Sequence, residues 1–517
     1  MTVTAGEAPP DRQAVSAYAR LEEKTISRDQ VGAGDAFCDL VKMDRPPTEL
    51  VRELVRIHAP YTFVPYHQRL DDGLVRFVNN DHCLLSVRAS LRLTDFMPAE
   101  LRILPLAQTA WYIPTGLDPW NQLIGKAPGH YARMYEIAVG EAPPPEIHWP
   151  DQEPLIEDGT FQERLDIWLT LVQRGEVLHQ YRIFLGLLED QANRPRLLAE
   201  LAFAGLIDVQ DRMLFNRSYT TGHKSYRARA TIELGEAVGW ANAHSIVYAG
   251  VPDIAVGPRW YSTYEMACNV CQNAFDGQDH TLLQNAGALS DRESSETLDI
   301  LLHSYEPVWQ DQLTTLLRAG KGPRQILDLI QTASAEVILW TSDSKAFSMP
   351  QHSYEYCNTL RWFYDTFDHG HQVKLLYVAA AFVNAAAHHQ INTGQGSADI
   401  RPARSAEALS QAQLLQAIER AILALEADES VALTAAYLNE SFDRRALAQT
   451  LAVASSKIGN DPHNQELGLC LVEDYLHSTA PGRERLLLAA ARHTAGHRKY
   501  GDPLELYHRF GAALGIE

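Results

Sequence analysis

From Phe161 to the C-terminus, apolar residues return every three or four positions within segments rich in Ala, Leu, Glu, Gln and Arg, the pattern of one amphipathic helix after another. The segments begin at Phe161 to Leu188, continue through Pro323 to Trp340 and Val373 to His389, and end at Glu484 to His497. Strand-like runs are scarce there, so the spacing predicts an all-α domain of stacked antiparallel helices over residues 156–517. The N-terminal part has a different rhythm. Thr48 to His58 is helix-like after Pro46-Pro47, but Leu74 to Val78 and Cys83 to Leu93 partly alternate about the turn signal Asn79-Asn80-Asp81. Leu101 to Leu106 and Ala110 to Ile113 also read as β-like. Pro143-Pro144-Pro145 and the run HWPDQEP cannot continue a helix or a central strand, which places a boundary near residue 155. The expected organisation is a polar arm over 1–30, a smaller α+β N-terminal domain over 31–155 and the helical catalytic domain, a mainly α protein.

Charge narrows the class of partner. The chain has 517 residues with 45 Lys+Arg against 65 Asp+Glu, a formal net charge of −20. That excess argues against nucleic-acid binding and against an anionic membrane surface, both of which need a basic footprint. The most apolar stretch, Val373 to Ala387, contains Lys374 and Asn384 and is shorter than the roughly 20 residues that span a bilayer. The first residues lack a basic segment followed by an apolar one, and six Cys in so long a chain do not make a disulfide framework. A cytoplasmic location is expected.

Neither a phosphate-cradling glycine loop nor a G-x-S-x-G elbow occurs in context, so common nucleotide and serine-hydrolase chemistry has no support. Cys268 and Cys271 have C-x-x-C spacing but no second ligand pair nearby, and read as two structural cysteines. The 20 His carry more information. His179, His223 and His352 sit on inward faces of expected helices, where imidazole nitrogens need partners. His371 shares a helical face with Lys374, and a Lys opening the apolar run Leu-Leu-Tyr-Val requires a carboxylate partner, a depressed pKa or chemical conversion. His493 and His497 are four residues apart and suit a shared metal, although the catalytic Glu of H-E-x-x-H is missing; position at a helix C-terminus is the plainer reading. A short echo links Thr-Thr-Gly-His223 to Thr-Ala-Gly-His497.

On His179, on Gly222-His223-Lys-Ser-Tyr, on His352-Ser-Tyr-Glu-Tyr and above all on Asp368-His-Gly-His371-Gln-Val-Lys374, the stretch from Phe161 to His389 resembles the questin oxidase-like proteins of aromatic polyketide pathways. The resemblance implies a non-haem iron oxygenase acting on an aromatic or polyketide-like small molecule with dioxygen. Its iron ligands would be His179, His223, His352, His371 and a carboxylated Lys374, with His371 and Lys374 at the centre of the chemistry. A carbamate would turn a costly buried cation into an anionic oxygen ligand that offsets ferrous charge. Tyr181, Tyr226, Tyr354 and Trp362 would line an aromatic substrate pocket, or simply pack the helices. The N-terminal domain would cover the site or mediate dimerisation. Two rival readings stand beside this one: a metal-free helical binding or scaffold protein, and a zinc hydrolase using His493 and His497.

Overall fold

The computed structural model describes residues 12–62, 64–66, 76–78, 82–116, 152–209, 222–255, 261–406, 408–459 and 461–516. Five helices form the N-terminal layer: α1 (Arg12–Ile26), α2 (Gln30–Lys42), α3 (Pro47–His58), α4 (Cys83–Leu93) and α5 (Leu104–Gly116). Between α3 and α4 lies a short antiparallel ribbon, β1 (Val64–Tyr66) on β2 (Arg76–Val78), with Val64 opposite Val78. The middle layer comprises α6 (Phe161–Arg174), α7 (Val177–Leu188), α8 (Arg194–Leu206), α9 (His223–Val238), α10 (His244–Gly250), α11 (Ser262–Phe275), α12 (Asp291–His303), α13 (Val308–Arg318), α14 (Pro323–Trp340), α15 (Ser348–Thr366) and α16 (Gln372–Asn392). The C-terminal layer is α17 (Gln411–Leu423), α18 (Ala427–Asn439), α19 (Arg444–Lys457), α20 (His463–His477), α21 (Glu484–Gly496) and α22 (Glu505–Leu514). Helix α22 returns to pack on α2 and α5, burying Leu506 and Phe510. No helix among the described residues is long and apolar enough to cross a membrane.

Local sequence explains many of the boundaries. Thr160 and Glu163 form a reciprocal capping box at the start of α6, and Gly175 ends it in the left-handed conformation. Ser290 with Glu293 and Ser410 with Gln413 repeat the box on α12 and α17. Side chains then pack into two apolar cores. One runs from α1 through α16; the other joins α17 to α21 with Ala89 and Leu93 of α4 and Ala335, Ile338 and Leu339 of α14. Helices α4, α14 and α15 contribute to both, so the seam between the cores runs through them.

The N-terminal segment is not an α+β domain: β structure among the described residues is confined to the three-residue β1 and β2 and isolated bridge residues outside that segment. Cys83 to Leu93, expected as a strand, is α4, and Leu101 to Ile113 falls in a short 3-10 turn and α5. The alternation misled because its polar members are buried too. Ser86 and Ser90 both share hydrogen bonds with Thr109 of α5, at 2.8 and 2.6 Å, and Arg88 reaches Glu233 of α9 at 2.6 Å. A helix enclosed on all sides needs no polar face. The Asn79-Asn80-Asp81 turn and the boundary at Pro143-Pro144-Pro145 lie outside the described residues, as do residues 1–11 of the expected arm; the rest of that arm is largely helical, over Arg12–Ile26.

At the seam, charge is buried in a network. Arg88, Arg229 and Arg361 converge on Glu473, with nitrogen–oxygen distances of 3.5, 3.0 and 3.3 Å, and Asn358 adds a bond of 3.2 Å. Arg361 also holds Asp474 at 2.5 Å and Asp365 at 2.8 Å. Such a layer stabilises little relative to an apolar one, but losing one partner strands the others, which makes it a device for fixing how α4, α9, α15 and α20 meet.

Candidate metal centre

Those four helices bring four imidazoles together. His82 is the N-cap residue of α4, His223 and His463 open α9 and α20, and His352 lies one turn into α15. Their ring centroids close a quadrilateral: His82 to His223 5.1 Å, His223 to His352 4.7 Å, His352 to His463 5.5 Å and His463 to His82 4.5 Å. A metal–nitrogen bond of about 2.1 Å plus a ring radius of about 1.2 Å puts an ion about 3.3 Å from each centroid, and ligands at 90–110° then lie about 4.6 to 5.4 Å apart. Two of the observed sides fall within that spacing and the other two, 4.5 and 5.5 Å, lie just outside it.

Two glycines make the arrangement possible. Gly222, at φ +91°, turns the chain into α9 where a Cβ would meet the Tyr226 hydroxyl at 2.6 Å. Gly205 of α8 lets the backbone of Lys224 and Ser225 approach: a Cβ there would lie 2.8 Å from the Lys224 carbonyl oxygen. The start of α9, and His223 with it, is thus set by backbone contact.

His352 is held as a metal-ready tautomer. Nδ1–H of His352 donates to the Ser348 carbonyl at 2.6 Å, leaving Nε2 buried without a hydrogen-bond partner among the described residues. His463 Nδ1 lies 2.9 Å from Asp461 Oδ1, and its Nε2 is likewise without one. Burial, reinforced by neighbouring imidazoles, holds His223 and His352 well below the usual histidine range, so both are neutral. For His463 burial acts in the same direction, but the Asp461 carboxylate outweighs it and raises the ring to about 9.

Carboxylates complete the set. Glu466, one turn after His463, lies 2.9 Å from His82 Nδ1, and its Oε1 has no hydrogen-bond partner among the described residues. Glu355, one turn after His352, has none for either oxygen, and burial raises it to about 8. His82, His463 and Glu466 can hold one ion with ligand atoms mutually within 4.8 Å, and Asp461, His463 and His497 form a second such group. Beside Glu355, Glu466 and Tyr226 is a cavity of about 30 Å³, room for a water molecule or two. Arg88 lines both this cavity and a groove of about 1060 Å³ that opens to the surface past Leu91, Ile232 and Trp362.

Of the five ligands implied by the resemblance, the structure gathers His223 and His352 and not the others. His179 on α7 is half exposed, 3.3 Å from Glu176, because α7 turns that face outward. His371, the N-cap residue of α16, meets Tyr264 at 2.5 Å and Phe203 with ring centroids 5.0 Å apart; burial, then the Lys374 charge, lower it to about 4. Lys374 is ion-paired with buried Asp279 at 2.6 Å, so the carboxylate partner that its position required is supplied from a 3-10 turn. Among the aromatics, Tyr226 donates to the His352 carbonyl at 2.5 Å and belongs to the centre, while Trp362 faces the groove under the Arg229 guanidinium. Tyr354 is buried in the second core, and Tyr181 packs on Tyr248 at 5.9 Å. His493 is buried against Gln351 at 3.2 Å; His497, the C-cap of α21, joins Asp461 and His463.

His82, His463, Glu355 and Glu466 were absent from the sequence reading, yet two of the helices carry the same signal. His352-Ser-Tyr-Glu355 and His463-Asn-Gln-Glu466 are twin His-x-x-Glu motifs, spacing that places an imidazole and a carboxylate on one helical face. Comparison with family models, curated proteins and solved structures finds no match, so the site is argued from its geometry.

Proposed function

We propose that the chain is a non-haem metal enzyme whose ion is held by His82, His223, His352 and His463 with Glu466 and Glu355, and that it is an iron-dependent oxidoreductase of aromatic small molecules using dioxygen. The observation that carries the metal reading is the closed quadrilateral of imidazoles flanked by buried carboxylates. A metal-free scaffold would leave His352 Nε2, His463 Nε2 and both Glu355 oxygens buried without hydrogen bonds from the described residues, at about 1–3 kcal/mol each. A bound ion would give such atoms a partner.

Nitrogen and carboxylate donors without thiolate suit Fe(II) and its first-row neighbours. Ferrous iron, when bound, would supply electrons to dioxygen, which would take a coordination position that one of the six groups yields. The protein's part is to keep His223 and His352 neutral, to balance cation charge with Glu466 and Glu355, and to bury the centre beneath Arg88. The groove past Leu91, Ile232 and Trp362 offers an apolar surface for a planar substrate. The resemblance to the questin oxidase-like proteins supports the choice of iron and of an aromatic substrate. The zinc-hydrolase reading is weaker, because His493 Nε2 faces Gln351 Oε1 at 3.2 Å, while His497 groups with Asp461 and His463 instead.

The test is anaerobic iron loading of chelator-stripped protein, then oxygen uptake with phenolic probes. We expect stoichiometric iron and uptake that needs both iron and phenol. Less than about a tenth of an equivalent of any transition metal rejects the metal reading; tight iron with no uptake across phenols and quinones rejects the oxygenase reading alone.

A further inference from the structure

The second metal-capable group shares a residue with the first. Asp461 Oδ1 lies 2.9 Å from His463 Nδ1, Asp461 Oδ2 lies 3.8 Å from His497 Nδ1, and the ligand atoms of all three residues are mutually within 4.8 Å. At metal–ligand bonds of about 2.1 Å, neighbouring ligand atoms sit about 3.0 Å apart at right angles, about 3.4 Å apart in a tetrahedron and about 4.2 Å apart when opposite. Of the two measured separations, 3.8 Å falls within that range and 2.9 Å lies at its short edge. The His497 side chain is 10 % exposed and its Nδ1 accepts and donates no hydrogen bond among the described residues, so a buried nitrogen is available. The backbone serves the same arrangement: the His463 N–H donates to Asp461 Oδ1 at 3.0 Å, fixing the carboxylate at the mouth of α20.

We propose that His463 is shared by two metal positions, its Nε2 serving the four-imidazole centre and its Nδ1 a second divalent transition-metal position completed by Asp461 and His497. The inference rests on the metal reading above and deepens it: the centre is dinuclear and bridged by one imidazolate. When the second ion binds, the proton that Nδ1 shares with Asp461 leaves to solvent, and the ring bonds an ion through each nitrogen. The two ions then stand about 6 Å apart, the span of an imidazole plus two bonds. Lys499 lies alongside, its Nζ donating to the His497 carbonyl at 2.6 Å.

The experiment is Mn(II) reconstitution of the full-length, chelator-stripped chain, with bound metal counted by elemental analysis and coupling read by electron paramagnetic resonance. Wild type is expected to bind about two equivalents and to show an exchange-coupled spectrum. Asp461→Asn and His497→Gln should each bind about one, with the six-line signal of an isolated ion, and His352→Ala should also bind about one. Circular dichroism and urea unfolding identify variants that fail to fold, and the Asp461 and His497 variants check each other. One equivalent in wild type, with Asp461→Asn weakening that ion about 10- to 100-fold at unchanged stoichiometry, overturns the second position and makes Asp461 the residue that orients His463. No metal in wild type overturns the second position and the metal reading together.

Discussion

Glu355→Gln separates the needs of folding from those of metal binding. In the metal-free protein the Glu355 carboxyl is buried without a partner among the described residues and is raised from 4.5 to about 8. Between those values the folded chain holds a proton that the unfolded chain has released, so stability falls as pH rises through the window from about 4.5 to 8. The loss grows to about 3 kcal/mol at pH 7 and about 5 kcal/mol above pH 8, at about 1.4 kcal/mol per unit. Glutamine keeps the shape and removes the ionisation, but its amide requires partners of its own at about 1–3 kcal/mol. Metal-free Glu355→Gln is therefore expected to exceed wild type by about 2–4 kcal/mol at pH 8.5 and to be weaker by about 1–3 kcal/mol at pH 4.5. Once metal is present the order reverses, because the variant lacks an anionic ligand and its metal affinity should fall at least about tenfold. Urea unfolding of stripped protein at several pH values, paired with metal titration, measures both. A stripped variant less stable than wild type at pH 8.5 would refute the desolvation argument, and unchanged metal affinity would remove Glu355 from the centre.

Other substitutions test the remaining pieces. His463→Ala should lose most of the bound metal in elemental analysis and His352→Ala about half of it, while His179→Ala retains it. Lys374→Met should lower stability by about 3 kcal/mol by stranding buried Asp279, and Asp279→Leu in the same chain should restore most of it; loss of metal in Lys374→Met would instead bring Lys374 back as a ligand. Glu473→Gln should cost about 3–5 kcal/mol in chemical unfolding because three buried guanidiniums lose their shared carboxylate. Gly205→Ala, remote in sequence from every ligand, should weaken metal binding by forcing the start of α9 away from α8, and wild-type affinity in a folded variant would show that His223 tolerates the shift.

The sequence by itself determined the secondary structure wherever one helical face was polar and the other apolar. The segments that hold α6 to α21 are marked by that period, although the run Phe161 to Leu188 divides into α6 and α7 and α15 is buried from Met349 to Phe363, and the boxes at Thr160, Ser290 and Ser410 mark where three helices begin. It failed at α4 and α5, whose buried Ser86, Ser90 and Thr109 satisfy one another and so carry no outward signature. For the site it supplied the chemistry of histidine and two residues of the cluster, His223 and His352. Choosing their companions required knowing which helix ends meet, and His82 and His463 are separated by 381 positions that no local pattern spans. Tertiary packing decided that, through the Arg88–Glu473 network and the backbone contact at Gly205, and it sent His179 to the surface and Lys374 to Asp279. Residue type fixes what a side chain can bind; only the fold decides which nitrogens and oxygens share a point within bonding distance.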